Sequence, residues 1–283
     1  MYVFSFVIPS FNQARYIVDC LDSILDQGLV KSSYEVIVID GGSTDGTVEI
    51  LKEHPVVTEW ISEPDLGHYD ALNKGIQKSH GEWIAWINSD DFYLLGALAK
   101  VMNFIGQNPN ADIVYGDAEE VDENGDIVGD YKVEPWNYEK LIDRCILCQP
   151  ATIIRKSVFE MHGGLSAKCR VAIDLEYWLR VGKKVNFVRA PIKLAASRLW
   201  AGTKSSNEQL AMQEDALYFG HLHGNRWSRR RIGAVAEARL LVVFPYFSPD
   251  NKGLKWLLFY GFRSLFYIFL EAQCRLGLFR LRK

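Results

Sequence analysis

The chain has 283 residues, enough for one large α/β domain with an appendage. Hydrophobic residues make up 48% and charged residues 24%, a globular balance that excludes a disordered or fibrous chain. The net charge of −3 hides an asymmetry: from Asn225 onward 12 Lys/Arg stand against 3 Asp/Glu, so the tail carries +9 and the preceding part −12. An acidic body argues against nucleic acid as a partner. A basic tail rich in aromatic residues points to an anionic surface.

The N-terminus has no basic stretch and no small-residue cleavage site, so it reads as a first strand rather than a secretory leader. The five cysteines are Cys20, Cys145, Cys148, Cys169 and Cys274. An odd count without a leader points to a reducing, cytoplasmic setting. Cys145 and Cys148 form a lone CxxC with no second Cys or His pair nearby, so buried thiols are expected there rather than a zinc site.

Val3 to Ile8 is a short β-branched and aromatic run closed by Pro9, the pattern of a buried parallel strand. Tyr16 to Gln27 places Ile17, Cys20, Leu21, Ile24 and Leu25 on one helical face. Glu35 to Ile39 is a second strand, stopped by Asp40-Gly41-Gly42, and Asp45 can cap a helix over Thr47 to Lys52. Val57 to Ser62 predicts a third strand, Asp70 to Lys78 a helix, and Trp83 to Ile87 a fourth strand ending at Asn88-Ser89-Asp90-Asp91. Ala111 to Ala118 and Asp126 to Val128 read as a hairpin around Glu123-Asn124-Gly125. Ile153-Ile154 and Lys184 to Ala196 supply further strand, and Ile173 to Val181 a helix. The alternation predicts an α/β fold: a Rossmann-like, mostly parallel central sheet with helices on both faces. Ligands gather at the carboxyl ends of strands in such sheets, where Asp40 and Asp90-Asp91 fall.

Two adjacent carboxylates at a turn repel one another unless a cation or a helix terminus compensates. Mg²⁺ and Mn²⁺ commonly use one or two carboxylates together with phosphate oxygens, and a cation bridging two phosphates makes a nucleoside diphosphate a competent leaving group. The same pair can instead cap a helix beginning near Tyr93.

Four segments in order resemble the family 2 glycosyltransferases, which have the GT-A fold: residues 7–13 (VIPSFNQ), 39–47 (IDGGSTDGT), 63–75 (EPDLGHYDALNKG) and 81–91 (GEWIAWINSDD). The resemblance runs over about residues 3–205. It implies a nucleotide pocket lined by Pro9, Ser10 and Phe11, with Asp40 bonding the base at the N3–H of a uracil. Many members carry two acidic residues at that point, where this chain has Asp40-Gly41. Asp65, Asp70, Asn73 and Lys74 are implied near the ribose and phosphates. Asp91 is implied as the ligand of a Mn²⁺ or Mg²⁺ ion and Asp90 as a contact to the sugar or ribose; the family's first acidic position is Asn88 here. Asp174, in the stretch 173–178 (IDLEYW), aligns with the residue that takes the acceptor proton in inverting transfer, although it can also be a plain helix cap. Trp178 is expected in the core or against the acceptor. Gln149, Arg198 and Lys204 are implied as phosphate or acceptor contacts. Many members have a metal- or diphosphate-binding His where this chain has Trp200, which cannot ligate a metal.

The implied organisation is a catalytic domain over residues 1–224, with a nucleotide-sugar half (about 1–118) and an acceptor half (about 119–224), followed by an amphipathic helical region over 225–283. Within Leu254 to Phe279, Arg263, Tyr267, Glu271 and Arg275 recur every four residues, and Leu258, Phe262, Leu265, Phe266 and Phe269 make the remaining surface apolar. No uncharged stretch there reaches the roughly 20 residues of a simple membrane span, so an interfacial helix on the inner face of the cell membrane is expected; packing on the catalytic domain or on a second subunit is the alternative. The activity implied is transfer of a sugar from a nucleotide-diphosphate donor, a UDP-sugar first, to a hydroxyl of a glycan or lipid-linked acceptor in cell-surface glycan assembly. A nucleotidyltransferase and a catalytically silent, membrane-associated nucleotide-sugar-binding protein are the alternatives carried forward.

Overall fold

A computed structural model describes residues 2–243, 254–276 and 278–279; the side chains of residues 205, 241, 243 and 254–261, Leu258 among them, lie outside the described residues. The chain divides into two compact units. The first comprises Met1–Trp136, Ile146–Ala167 and Lys184–Trp200, and the second Asn137–Cys145, Lys168–Lys183 and Ala201–Lys283. The second unit therefore crosses the boundary expected at residue 224.

The first unit holds a nine-stranded sheet. Its centre is β1 (Phe4–Ser10), paired in parallel with β2 (Tyr34–Asp40) and β4 (Trp83–Trp86), while β3 (Glu59–Ser62) runs parallel to β2. Every residue of β1 and β2 is buried, which is why Phe6–Ile8 and Val36–Ile39 read as apolar runs. Alternation divides them between two faces. Phe4, Phe6, Ile8, Val36 and Val38 join the main core together with Ile17, Cys20, Leu21 and Ile24 of α1 (Ile17–Leu25). Ile37 and Ile39 pack instead with Ala71 of α3 (His68–Lys78). Helices thus cover both faces, as expected. The helix α2 (Thr47–Glu53) follows β2, and the Asp45 carboxylate accepts from the Thr47 N–H at its start.

Beyond β4 the sheet becomes mixed. The strand β8 (Thr152–Arg155) is antiparallel to β4 and to β6 (Ile113–Val121), and β7 (Ile127–Tyr131) closes the expected hairpin on β6. The long strand β9 (Phe187–Arg198) lies parallel to β6 and antiparallel to β5 (Phe92–Tyr93). This last pairing corrects one alternative from the sequence. No helix begins near Tyr93; the chain is held there as a two-residue strand, and α4 (Ala97–Gln107) starts only after Gly96 adopts a left-handed φ of 71°. The acidic pair at 90–91 therefore caps no helix. The first unit is completed by α6 (Lys156–His162).

The second unit is helical among the described residues: α5 (Tyr138–Asp143), α7 (Ile173–Val181), α8 (Lys204–Asn207), α9 (Gln209–Gly224), α10 (Arg229–Val243) and α11 (Leu254–Arg275). Leu217 of α9, Ile232, Val235 and Ala236 of α10, and Leu270 and Cys274 of α11 share one buried cluster, so α10 and α11 are integral to this unit. The polar stripe on α11 turns towards α10: Arg263 pairs with Glu237 at 3.1 Å and Glu271 lies 3.9 Å from Arg229. The outer side of α11 is apolar, with Phe262, Leu265, Ile268 and Phe269 between 43% and 63% exposed. No helix among the described residues is long and apolar enough to cross a membrane. All five cysteines are free thiols.

Candidate active site

Two loops at the carboxyl edge of the sheet are laced together. After β1, the backbone N–H groups of Asn12, Gln13 and Ala14 donate to Ser43 Oγ, Thr47 Oγ1 and Asp45 Oδ2. Asn12 adopts a φ of 52°, and its Oδ1 accepts from the Thr44 N–H. Asp40, at the end of β2, is fully buried. Its Oδ2 accepts from the N–H groups of Gly42 (3.1 Å) and Ser43 (2.8 Å) and from Ser62 Oγ (2.7 Å), while Ser43 Oγ donates to Oδ1. A carboxylate spent in this way holds the loop and offers a base no free oxygen; the base contact inferred for Asp40 does not fit its surroundings. Pro9 and Ser10 lie within β1 and are buried, whereas Phe11 stands 59% exposed.

The residue facing Phe11 is Asp65. A Cβ on Gly41 would lie 3.1 Å from Asp65 Oδ2 and 3.3 Å from the Phe11 ring, so the carboxylate and the ring border the bare backbone of Gly41. Asp65 Oδ1 accepts from the Gly67 N–H at 2.8 Å. Lys74 is tied to Glu63 (2.8 Å) and Asp70 (3.2 Å), and Asp70 also accepts from the Leu66 N–H. Asn73 does a different job from the one inferred: its Nδ2 donates to the Leu165 carbonyl (3.0 Å) and its Oδ1 accepts from the Leu165 N–H (2.8 Å), so it pins the loop after α6. Any Cβ on Gly164 would overlap that amide.

The 88–91 turn is a second knot. Asp91 is 4% exposed, and its oxygens accept from the Arg198 N–H (2.9 Å) and Asn88 Nδ2 (3.1 Å). Asn88 is braced by Gln149, whose Nε2 also donates to the Trp86 carbonyl, so Gln149 supports the turn. Arg198 is likewise internal. Its guanidinium binds the Asp90 and Glu123 carbonyls and the Asp19 carboxylate (2.7 Å), and it lies over the Tyr16 ring. The free phosphate-binding cation inferred at Arg198 is thus a buried clamp. Asp90 is half-buried, and its Oδ2 accepts from the indole Nε1–H of Trp200 at 2.8 Å. The Trp200 ring packs 4.9 Å from that of Tyr16. Burial, and then the charge of Asp90, push Asp91 well above the ordinary carboxylate range; burial raises Asp90 against the opposing pull of Trp200 and Arg198.

Within the second unit Asp174 lies in the first turn of α7, and burial raises its pKa against the backbone hydrogen bonds that lower it. Trp178 is fully buried, as one of its two sequence readings required. Lys204 is exposed at the start of α8, a single helical turn capped by the Thr203 hydroxyl. The sequence reading missed Asp19, Ser62 and Asp215, which act as internal partners. Only the Trp200 segment carried a signal, as a departure from the family pattern.

A model of glycosyl transferase family 2 matches residues 5–160. The chain belongs to this family. It is a glycosyltransferase of GT-A fold. It is 31% identical over 186 residues to a PGL/p-HBAD biosynthesis glycosyltransferase of Mycobacterium bovis, covering 63% of this chain and 69% of that protein. It is 26% identical over 216 residues to chondroitin synthase of Escherichia coli, covering 75% of this chain but 31% of that longer protein. Among solved structures, S. aureus TarS in complex with UDP-GlcNAc superposes with a TM-score of 0.66 at 17% identity, over 98% of this chain and 92% of that one. The mannosyltransferase PcManGT of Pyrobaculum calidifontis, in complex with GDP-Man and Mn²⁺, gives a TM-score of 0.63 at 15% identity, over 96% and 86%.

Such folds commonly work with a divalent cation. No group of three or more His, Cys, Asp or Glu side chains is placed to hold one among the described residues. The adjacent, mutually repelling Asp90 and Asp91 nevertheless suit a hard cation that takes one or two carboxylates and completes its shell with phosphate and water.

The Asn73–Gly164 contact is open to a double-mutant cycle. Gly164→Ala forces a methyl into the Asn73 amide and is expected to destabilise the protein by about 1–3 kcal/mol in urea unfolding. In an Asn73→Ala background the same change is expected to cost much less, and equal costs in both backgrounds would show that the two residues do not constrain one another.

Proposed function

We propose that the enzyme is an inverting transferase that moves a sugar from a nucleotide-diphosphate donor to an acceptor hydroxyl. The observation that carries the donor side of this reading is the Asp90–Asp91 pair at the carboxyl end of β4, both disfavoured in their ionised form by burial and Asp91 further by the charge of Asp90. A Mn²⁺ or Mg²⁺ ion, when bound, supplies the positive charge that makes the diphosphate a competent leaving group. The metal contact inferred for Asp91 passes to Asp90 in this reading. Asp91, with both oxygens engaged inside the protein, shapes the turn, and Asp90, oriented by Trp200, would hold the ion.

Donor selection rests on Asp65 in place of Asp40. Phe11 offers an exposed ring for a base to stack on, and the Asp65 carboxylate stands beside it over Gly41. A carboxylate only accepts hydrogen bonds, so it favours a base presenting a ring N–H, as uracil and guanine do, over cytosine and adenine. Asp70 and Lys74 are left to the ribose and phosphate side of the donor, and Lys204 to an outer phosphate or acceptor contact. Asp174 receives the proton of the acceptor hydroxyl as its oxygen attacks the anomeric carbon. A lipid-linked or other glycan acceptor at a membrane surface agrees with the apolar outer side of α11 and the basic tail, which together suit an anionic bilayer.

Three measurements test these assignments. Thermal shifts with UDP, GDP, CDP and ADP are expected to show preference for UDP or GDP, and Asp65→Ala to weaken the preferred nucleotide about tenfold or more; undiminished discrimination in the variant overturns the base assignment. Asp174→Asn is expected to bind donor normally and lose transfer. Because the base must be ionised and burial raises its pKa, the wild-type rate should fall on the acid side at a pH above the usual carboxylate value of about 3.9. Full transfer by Asp174→Asn would falsify its role. Flotation with phosphatidylglycerol vesicles is expected to carry the wild type and leave a Leu265→Glu, Phe269→Glu variant behind; equal flotation of both removes α11 as the contact.

A further inference from the structure

We infer that Asp215 is a positioning residue for the proposed base, an inference that rests on the reading of Asp174 above. Asp215 lies on α9, about forty residues beyond Asp174 in sequence, and is fully buried. Its Oδ2 accepts from three successive backbone N–H groups, those of Arg170 (2.9 Å), Val171 (2.8 Å) and Ala172 (3.4 Å), and from the Cys169 thiol (3.4 Å). Its Oδ1 faces Arg170 Nε at 3.4 Å. Ala172 is the residue from which α7 starts, and it supplies no side-chain cap. The entry into α7 is therefore fixed from outside the helix, by one carboxylate that gathers the N–H groups of the turn leading to Asp174.

The neighbouring Glu214 extends the clamp. It is 1% exposed and lies between Arg170 (3.3 Å) and Arg239 of α10 (2.7 Å). Arg170, in the turn before α7, is thus held by both acids, and Glu214 is anchored in turn by α10. A buried charge left without its donors is strongly destabilising, which makes this arrangement close to all-or-none. The consequence for catalysis is geometric. A catalytic group displaced by about 1 Å can lose on the order of a hundredfold in rate, while binding elsewhere is untouched.

The test compares wild type, Asp215→Asn, Asp215→Glu and Asp174→Asn in the full chain, with Mn²⁺-dependent release of UDP from UDP-GlcNAc or of GDP from GDP-mannose, water serving as acceptor. Asparagine keeps the shape but turns an amide donor on Arg170, and glutamate keeps the charge but moves it by one methylene. Both are expected to lower the turnover at least tenfold and to displace the acid limb of the pH profile, with the calorimetric Kd for the nucleoside diphosphate within about twofold of wild type. A folded Asp215 variant with wild-type turnover and pH profile overturns the inference while leaving the Asp174 reading intact. Undiminished release by Asp174→Asn brings down the Asp174 reading and this inference with it. If neither Asp215 variant folds, or the wild type releases neither nucleotide, hydrogen exchange in the wild type decides: amides 170–172 must be as protected as the core of α9, and rapid exchange there refutes the clamp.

Discussion

A carboxylate withdrawn from water must be met by hydrogen-bond donors, and much of this structure at its functional edges follows from that requirement. Asp40, Asp91 and Asp215 are each buried; Asp40 and Asp215 accept backbone N–H groups of the loops beside them, and Asp91 accepts that of Arg198 at the end of β9. The sheet and helices bring the loops close; the buried acids decide their final shape. Acidic residues in such an enzyme are naturally read as ligand contacts. Here several of them serve as the fixed points against which more exposed groups are set.

That division sorts the acids into two kinds. Asp40 and Asp91 are saturated internally, whereas Asp65 and Asp90 are only partly buried and have fewer internal partners. Trp200 belongs with the second pair. Its indole cannot bind a metal but can donate to one, and only one, carboxylate oxygen, so it orients Asp90 without competing for its second oxygen. Arg198 shows the same logic with the sign reversed: a guanidinium enclosed by two carbonyls, a carboxylate and a tyrosine ring joins α1, the 88–91 turn and the β6–β7 hairpin.

The first half of the fold was legible because β1, β2 and β4 are buried on both faces and leave short apolar runs closed by Pro9, Asp40 and Asn88. The reversal of direction at β8 was not legible, since four residues reading Thr-Ile-Ile-Arg carry no mark of orientation. Nor was β5, a two-residue strand set by its pairing with β9. The acidic motifs located the site, but their division of labour depends on contacts between residues far apart in sequence, such as Asp91 with Arg198 and Asn73 with Leu165. Local pattern cannot express those. On α11 the four-residue periodicity was legible, whereas the ion pairs with α10 that draw the polar stripe inward were not.

The chain leaves the sheet-bearing unit after Trp136 and again after Ala167, each time returning to it before its final departure beyond Trp200. The helical unit is thus assembled from three separated stretches, two of them embedded within the other's sequence. Neither unit is a cassette that a single cut can excise. The family match, which stops at residue 160, marks recognisable ancestry rather than a severable module. Exchange of acceptor-side machinery between relatives by simple recombination would have to carry matching segments at three places at once, so divergence in this chain is better served by point substitution than by shuffling.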